Sequence, residues 1–77
     1  MSFTDKDIFC VFSRVIKEEY GNMGEAQFKA DFFKNKTIFI KSASSVWASE
    51  LWMNKNKIIR KINKELGDEG VKEIKMK

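Results

Sequence analysis

Lys57, Arg60, Lys61 and Lys64 recur at helical spacing in one stretch of the chain. At 100° per residue they fall within an arc of about 100° on a helix. Ile58, Ile59, Ile62 and Leu66 occupy a separate arc, so the segment has an apolar face and a basic face. A row of ammonium and guanidinium groups suits the phosphates of a nucleic acid. Lys55 stands at the edge of the row, and Lys41 adds a cation upstream. The solvated face of a lysine-rich protein looks similar, but it normally carries acids at i,i+4. No acid lies between Asn54 and Lys64, which favours an anion-binding face.

The net charge of +4 conceals this asymmetry. Residues 34–64 carry eight bases and one acid, Glu50, whereas the flanking segments are each slightly acidic. Thirteen of the fifteen bases are Lys, so lysine usage alone is a rival explanation of the charge.

Other chemistry is poorly supplied. With no His and one Cys, the usual zinc sites and His-dependent nucleophilic arrangements cannot be built within the chain. Cys10 cannot form an internal disulfide, which fits a reducing compartment or simple indifference to redox. It is read as a small buried apolar residue. Glu18-Glu19 and Asp68-Glu69 are adjacent pairs that do not converge on a point. No enzyme activity, metal, cofactor or small-molecule substrate is expected. No apolar run approaches the roughly 18 residues of a membrane span, and Met1-Ser2-Phe3-Thr4-Asp5 lacks the pattern of a signal peptide. The expected location is cytoplasmic, without a membrane partner.

The elements that position the basic row follow from hydrophobic period. Ile8, Phe9, Val11, Phe12, Val15, Ile16 and Tyr20 form a helical stripe over residues 5–20, with Thr4 as cap. Gly21-Asn22-Met23-Gly24 stops it; despite its GXXG spacing, this run follows the first helix and reads as a helix stop. Ala26, Phe28, Ala30 and Phe32 then alternate with polar residues as a half-buried strand. Lys34-Asn35-Lys36 is a tight turn, and residues 37–41 alternate as a second strand, giving an antiparallel hairpin. The serines at 42, 44 and 45 supply caps for a helix reaching about residue 53. After a break at Asn54-Lys55-Asn56, a third helix ends at Gly67, and residues 71–76 close as a strand.

The order is α-β-β-α-α-β, an α+β fold spanning residues 1–77 as a single domain. A two-helix crossover joins parallel strands, so the second strand is central in a three-stranded mixed sheet with the helices on one face. This is the order of a type II KH-like domain and makes nucleic acid a candidate ligand by analogy. The GXXG loop that brings KH backbone close to phosphates has no glycine here, since the corresponding place reads Met53-Asn54-Lys55-Asn56-Lys57.

Aromatic residues offer contact surfaces. Trp47 shares a face with Leu51 and is expected in the core. Trp52, beside Met53, has three readings: core edge, docking anchor or base-stacking platform. On the open sheet face, Phe33 and Phe39 are expected beside Lys41. Trp52, Met53 and Phe39 are the candidate partner contacts.

The run Thr37-Ile38-Phe39-Ile40-Lys41-Ser42-Ala43-Ser44-Ser45-Val46-Trp47-Ala48-Ser49-Glu50-Leu51 continues through Ile58-Ile59-Arg60-Lys61-Ile62-Asn63-Lys64-Glu65-Leu66-Gly67 to Val71 and Ile74. Over about residues 37–76 this resembles the DciA family: a strand of alternating aliphatics, then Ser-x-Trp-Ala-x-Glu-Leu, a Leu-Gly end and a short strand. The resemblance implies a KH-like domain of bacterial DNA replication that binds DNA and is associated with loading the replicative helicase. The leading expectation is a small adaptor binding DNA through the basic helix. An RNA-binding KH-like module and a protein–protein interaction domain without nucleic acid remain open.

Overall fold

Thr4 begins the fold with a capping box. Its Oγ1 accepts from the Asp7 backbone N–H while the Asp7 carboxylate accepts from the Thr4 N–H, both at 3.1 Å. The computed structural model describes residues 3–76; Met1, Ser2 and Lys77, which belong to the expected domain and, for the first two, to the leader reading, lie outside the described residues. Helix α1 spans Asp5–Glu25, but Gly21 breaks it with φ 74° and ψ −176°, a conformation open essentially to glycine alone. The helix stop expected after residue 20 is this break, beyond which the chain adds one more turn. Gly24 in that turn permits a close approach. A Cβ there would collide with Tyr20 Cβ and lie 3.1 Å from the Trp47 ring.

Strands β1 (Phe28–Lys34) and β2 (Thr37–Ser42) form the antiparallel hairpin. Helices α2 (Ser45–Met53) and α3 (Lys55–Leu66) cross over to β3 (Glu73–Met76), which pairs parallel with β2. The sheet order is β1-β2-β3. The architecture is therefore α+β with the expected α-β-β-α-α-β order, type II KH-like, with a three-stranded mixed sheet and helices on one face. Ser44 caps α2 by accepting from the Trp47 N–H, and Gly67 ends α3 in the left-handed conformation at φ 70°. Asn63 fastens the return to β3, its side chain both donating to Val71 O at 2.8 Å and accepting from Val71 N at 2.9 Å.

One core lies between the sheet and the helices. Ile8, Phe12, Val15 and Ile16 of α1 meet Ile38 and Ile40 of β2, Leu51, Ile58, Ile62 and Ile74. Two residues expected in this core, Trp47 and Leu66, are only half-buried at its margin. The Trp47 ring contacts Tyr20 edge-on at 5.7 Å and Phe28 at 6.3 Å. Cys10 is exposed, contrary to expectation. It lies about 160° around the helix from Phe12, so the apolar stripe turns it outward.

The hairpin departs from simple alternation. A register shift between Ala30 and Phe32 marks a β-bulge, after which Phe32 pairs with Phe39 and Phe33 with Ile38. A bulge moves the following side chains to opposite faces. Phe33 thus packs against the core and Phe32 takes its expected place beside Phe39 on the open face, the two rings stacked at 4.4 Å. The two-residue turn has Asn35 at φ 53° and Lys36 at φ 59°. Both central residues of such a turn need positive φ; Asn accepts this readily, whereas Lys does not.

Two stability outcomes follow. Lys36→Gly should raise stability by about 0.5–1 kcal/mol by relieving the left-handed Lys, measured by urea unfolding. Gly24→Ala should lower it by about 1–3 kcal/mol through overpacking against Tyr20 and Trp47, measured the same way; unchanged stability would refute the close approach.

Candidate nucleic-acid interface

The solvent side of α3 carries the basic row, but acids from distant parts of the sequence reach it. Glu19 of α1 bridges Lys57 at 2.9 Å and also pairs with Lys61. Lys55 pairs with Glu73 of β3 at 3.0 Å and holds its ammonium 3.9 Å from the centre of the Trp52 ring. Arg60 and Lys64 are exposed and make no ion pair among the described residues. They sit one turn apart beside a shallow depression completed by Asn63, Gly67, Asp68 and Glu69. The expected face is real as a geometric stripe. Its open charge is concentrated at its C-terminal end.

The two paired carboxylates respond to their partners. Hydrogen bonds from Lys61 and then Lys57 hold Glu19 below its ordinary carboxylate value, against the opposing effect of burial. Glu73 is lowered by Lys55 and by the Ile74 backbone N–H. Both stay ionised at neutral pH, and Glu19 thereby occupies two lysines of the row.

The α2–α3 junction is a single residue, Asn54, which ends one helix and begins the next. Its Nδ2 donates to Glu50 O at 2.9 Å. Such a junction leaves no glycine loop of the kind that brings KH backbone close to phosphate.

The remaining candidates divide between two faces. Lys41 and Phe39 alternate with buried Ile38 and Ile40, which puts them on the open side of the sheet. Trp52 and Met53 are 55% and 78% exposed at the end of α2, in the helical layer. The core-edge reading of Trp52 is thereby set aside, and the three candidate partner contacts do not form one surface. Sequence reading missed Val46, which is 76% exposed. Its separation of seven residues from Met53 was a usable signal, since two helical turns put both on one side. It also missed Lys29 and Lys75, which share the open sheet face with Lys41; their alternation with Phe28, Ala30, Ile74 and Met76 was the signal.

The bridge to Glu19 has a pH signature. A lowered carboxylate contributes stability above its ordinary value of 4.5 and loses it as pH falls through the lowered value. The melting-temperature gap between the parent and Glu19→Gln should be constant from neutral pH to about pH 5 and shrink in more acidic solution. A gap independent of pH would show that the bridge contributes nothing.

A family model described as "Dna[CI] antecedent, DciA" matches residues 12–76. No curated protein matches the chain. The match extends the resemblance read from residues 37–76 back into α1, and thus takes in Glu19 together with the lysines it bridges. With the type II KH-like order of its elements, the chain belongs to the DciA family, which is associated with the replicative helicase in DNA replication.

Proposed function

We propose that this chain is a single-domain, non-enzymatic adaptor that holds DNA phosphates along α3 while α2 engages the replicative helicase in the cytoplasm. The observation that carries the DNA part is the open pair Arg60 and Lys64, continued along the helix by Lys57 and Lys61. Two open cations and two shared with Glu19 make a weak, salt-sensitive site. Phosphate contacts of this kind position a duplex without reading its sequence. Lys55, tied to Glu73 and Trp52, borders the site.

The helicase part rests on family membership and on α2, whose inward side buries Leu51 while Val46, Trp52 and Met53 remain outside. A helix apolar on both sides is suited to burial on both sides. Val46 and Met53 lie near the middle of the outward side and would be the anchors of a protein interface, with Trp52 beside them.

With two to four phosphate contacts, duplex affinity should fall with salt at a log–log slope of about −2 to −3.5. Joint reversal by Arg60→Glu and Lys64→Glu should weaken all duplex sequences equally and flatten that slope, read by fluorescence anisotropy at two salt concentrations. Glu19→Gln should tighten binding by releasing Lys57 and Lys61. Val46→Asp with Met53→Asp should abolish binding to purified replicative helicase while leaving duplex affinity intact. Equal DNA binding by parent and reversed proteins would sink the α3 site, and exclusive binding of RNA would favour the RNA-module reading.

A further inference from the structure

The open face of the sheet is a second basic surface, distinct from α3. Three rows of side chains project from it. Lys29 of β1 stands directly opposite Lys41 of β2. The next row is Phe32, Phe39 and Lys75, and the last is Lys34, Thr37 and Glu73. Among the described residues no helix covers this side, because Ile38, Ile40 and Ile74 direct the helical packing to the other.

One feature of this face is unfavourable for the fold alone. Like charges directly opposite in an antiparallel pair repel, yet Lys29 and Lys41 face one another and both are exposed. An aromatic pair, Phe32 exposed and Phe39 half-buried, also stands between the cations. Phe32 is 37% exposed, and the bulge is what brings its ring onto the Phe39 ring at 4.4 Å and 15°. Cross-strand packing accounts for the phenyl pair, but it does not account for the opposed lysines. An anionic ligand carrying flat apolar groups accounts for both. Lysines outnumber carboxylates here: Lys29, Lys34, Lys41 and Lys75 share the face with Asp31 at the bulge and with Glu73, which Lys55 engages.

We propose that the open sheet face binds single-stranded nucleic acid, with bases stacking on the Phe32–Phe39 pair and phosphates held by Lys29, Lys41 and Lys75. Aromatic rings on a basic surface meet the two requirements of a single strand, because every base has a π-face and every linkage has a charge. Strands about 4.8 Å apart and rows about 6.7 Å apart give a face suited to two or three nucleotides. A duplex keeps its bases inside and gains nothing from the phenyl pair. The site is independent of the α3 stripe, and the two can fail separately.

The test measures binding of a labelled oligothymidylate of about 15 nucleotides, an oligouridylate, an abasic strand of equal length and a duplex. Phe32→Leu with Phe39→Leu should weaken both base-containing single strands about tenfold, given roughly 1–3 kcal/mol per stacked base and 1.4 kcal/mol per factor of ten. It should leave the duplex and abasic strands unchanged. Lys29→Gln with Lys41→Gln should reduce the single-strand salt slope by about 1.4 and raise the melting temperature by ending the repulsion. The two source polymers are compared directly, and dependence on the phenyl pair with either supports the proposal. Equal parent affinity for abasic and base-containing strands, or undiminished single-strand binding by the folded Phe variant, overturns it and leaves the face to an acidic protein partner. Loss of duplex binding on reversing Arg60 and Lys64 concerns α3 alone.

Discussion

Ile38 and Ile40 of β2 have no solvent-exposed surface, and the fold is arranged to keep them so. The strand is central, hydrogen-bonded antiparallel to β1 and parallel to β3. Burial of its inward side requires α1, α2 and α3 together, since a chain of 77 residues has little apolar surface to spare. The outward side of the same strand, with Phe39 and Lys41, is left without a helical layer. The division between a stabilising face and an available face is thus a direct result of strand alternation in a small two-layer domain.

The same economy governs the electrostatics. The packing of α1 beside α3 brings Glu19 between Lys57 and Lys61, and the return of the chain into β3 brings Glu73 to Lys55. Ion pairs at the margin of a small domain, half-buried like these, contribute modestly to stability, about 1 kcal/mol or less. Their larger effect is on recognition, because they leave Arg60 and Lys64 as the open cations of α3. An acidic side chain held between two lysines lowers the attraction of that part of the face for any other anion.

The GXXG spacing of Gly21 and Gly24 serves shape. Gly21 turns the chain and Gly24 leaves room for Tyr20 and Trp47 to close against the end of α1. Between α2 and α3, where KH backbone approaches phosphate, Asn54 makes the shortest of junctions. The KH-like order is retained without the glycine loop, and the lysines and Arg60 of α3 are the charges that lie beside the junction.

The periodicities determined most of the elements: the helical stripe of Ile8, Phe12, Val15 and Ile16, the alternation around Ile38 and Ile40, and the apolar arc of Ile58 and Ile62. Each depends on residues close in the chain, so each is legible without coordinates. Even the outward position of Cys10 was implicit in helix phase. Tertiary structure alone decided the bulge that exchanges Phe32 and Phe33, because a one-residue shift in pairing leaves composition untouched while reversing every later side chain. It also decided which lysines remain open. The absence of an acid from residues 54–64 predicted an unopposed row, but Glu19 and Glu73 arrive from other elements, and charge pairing across such separations is set by docking geometry, which no local spacing encodes.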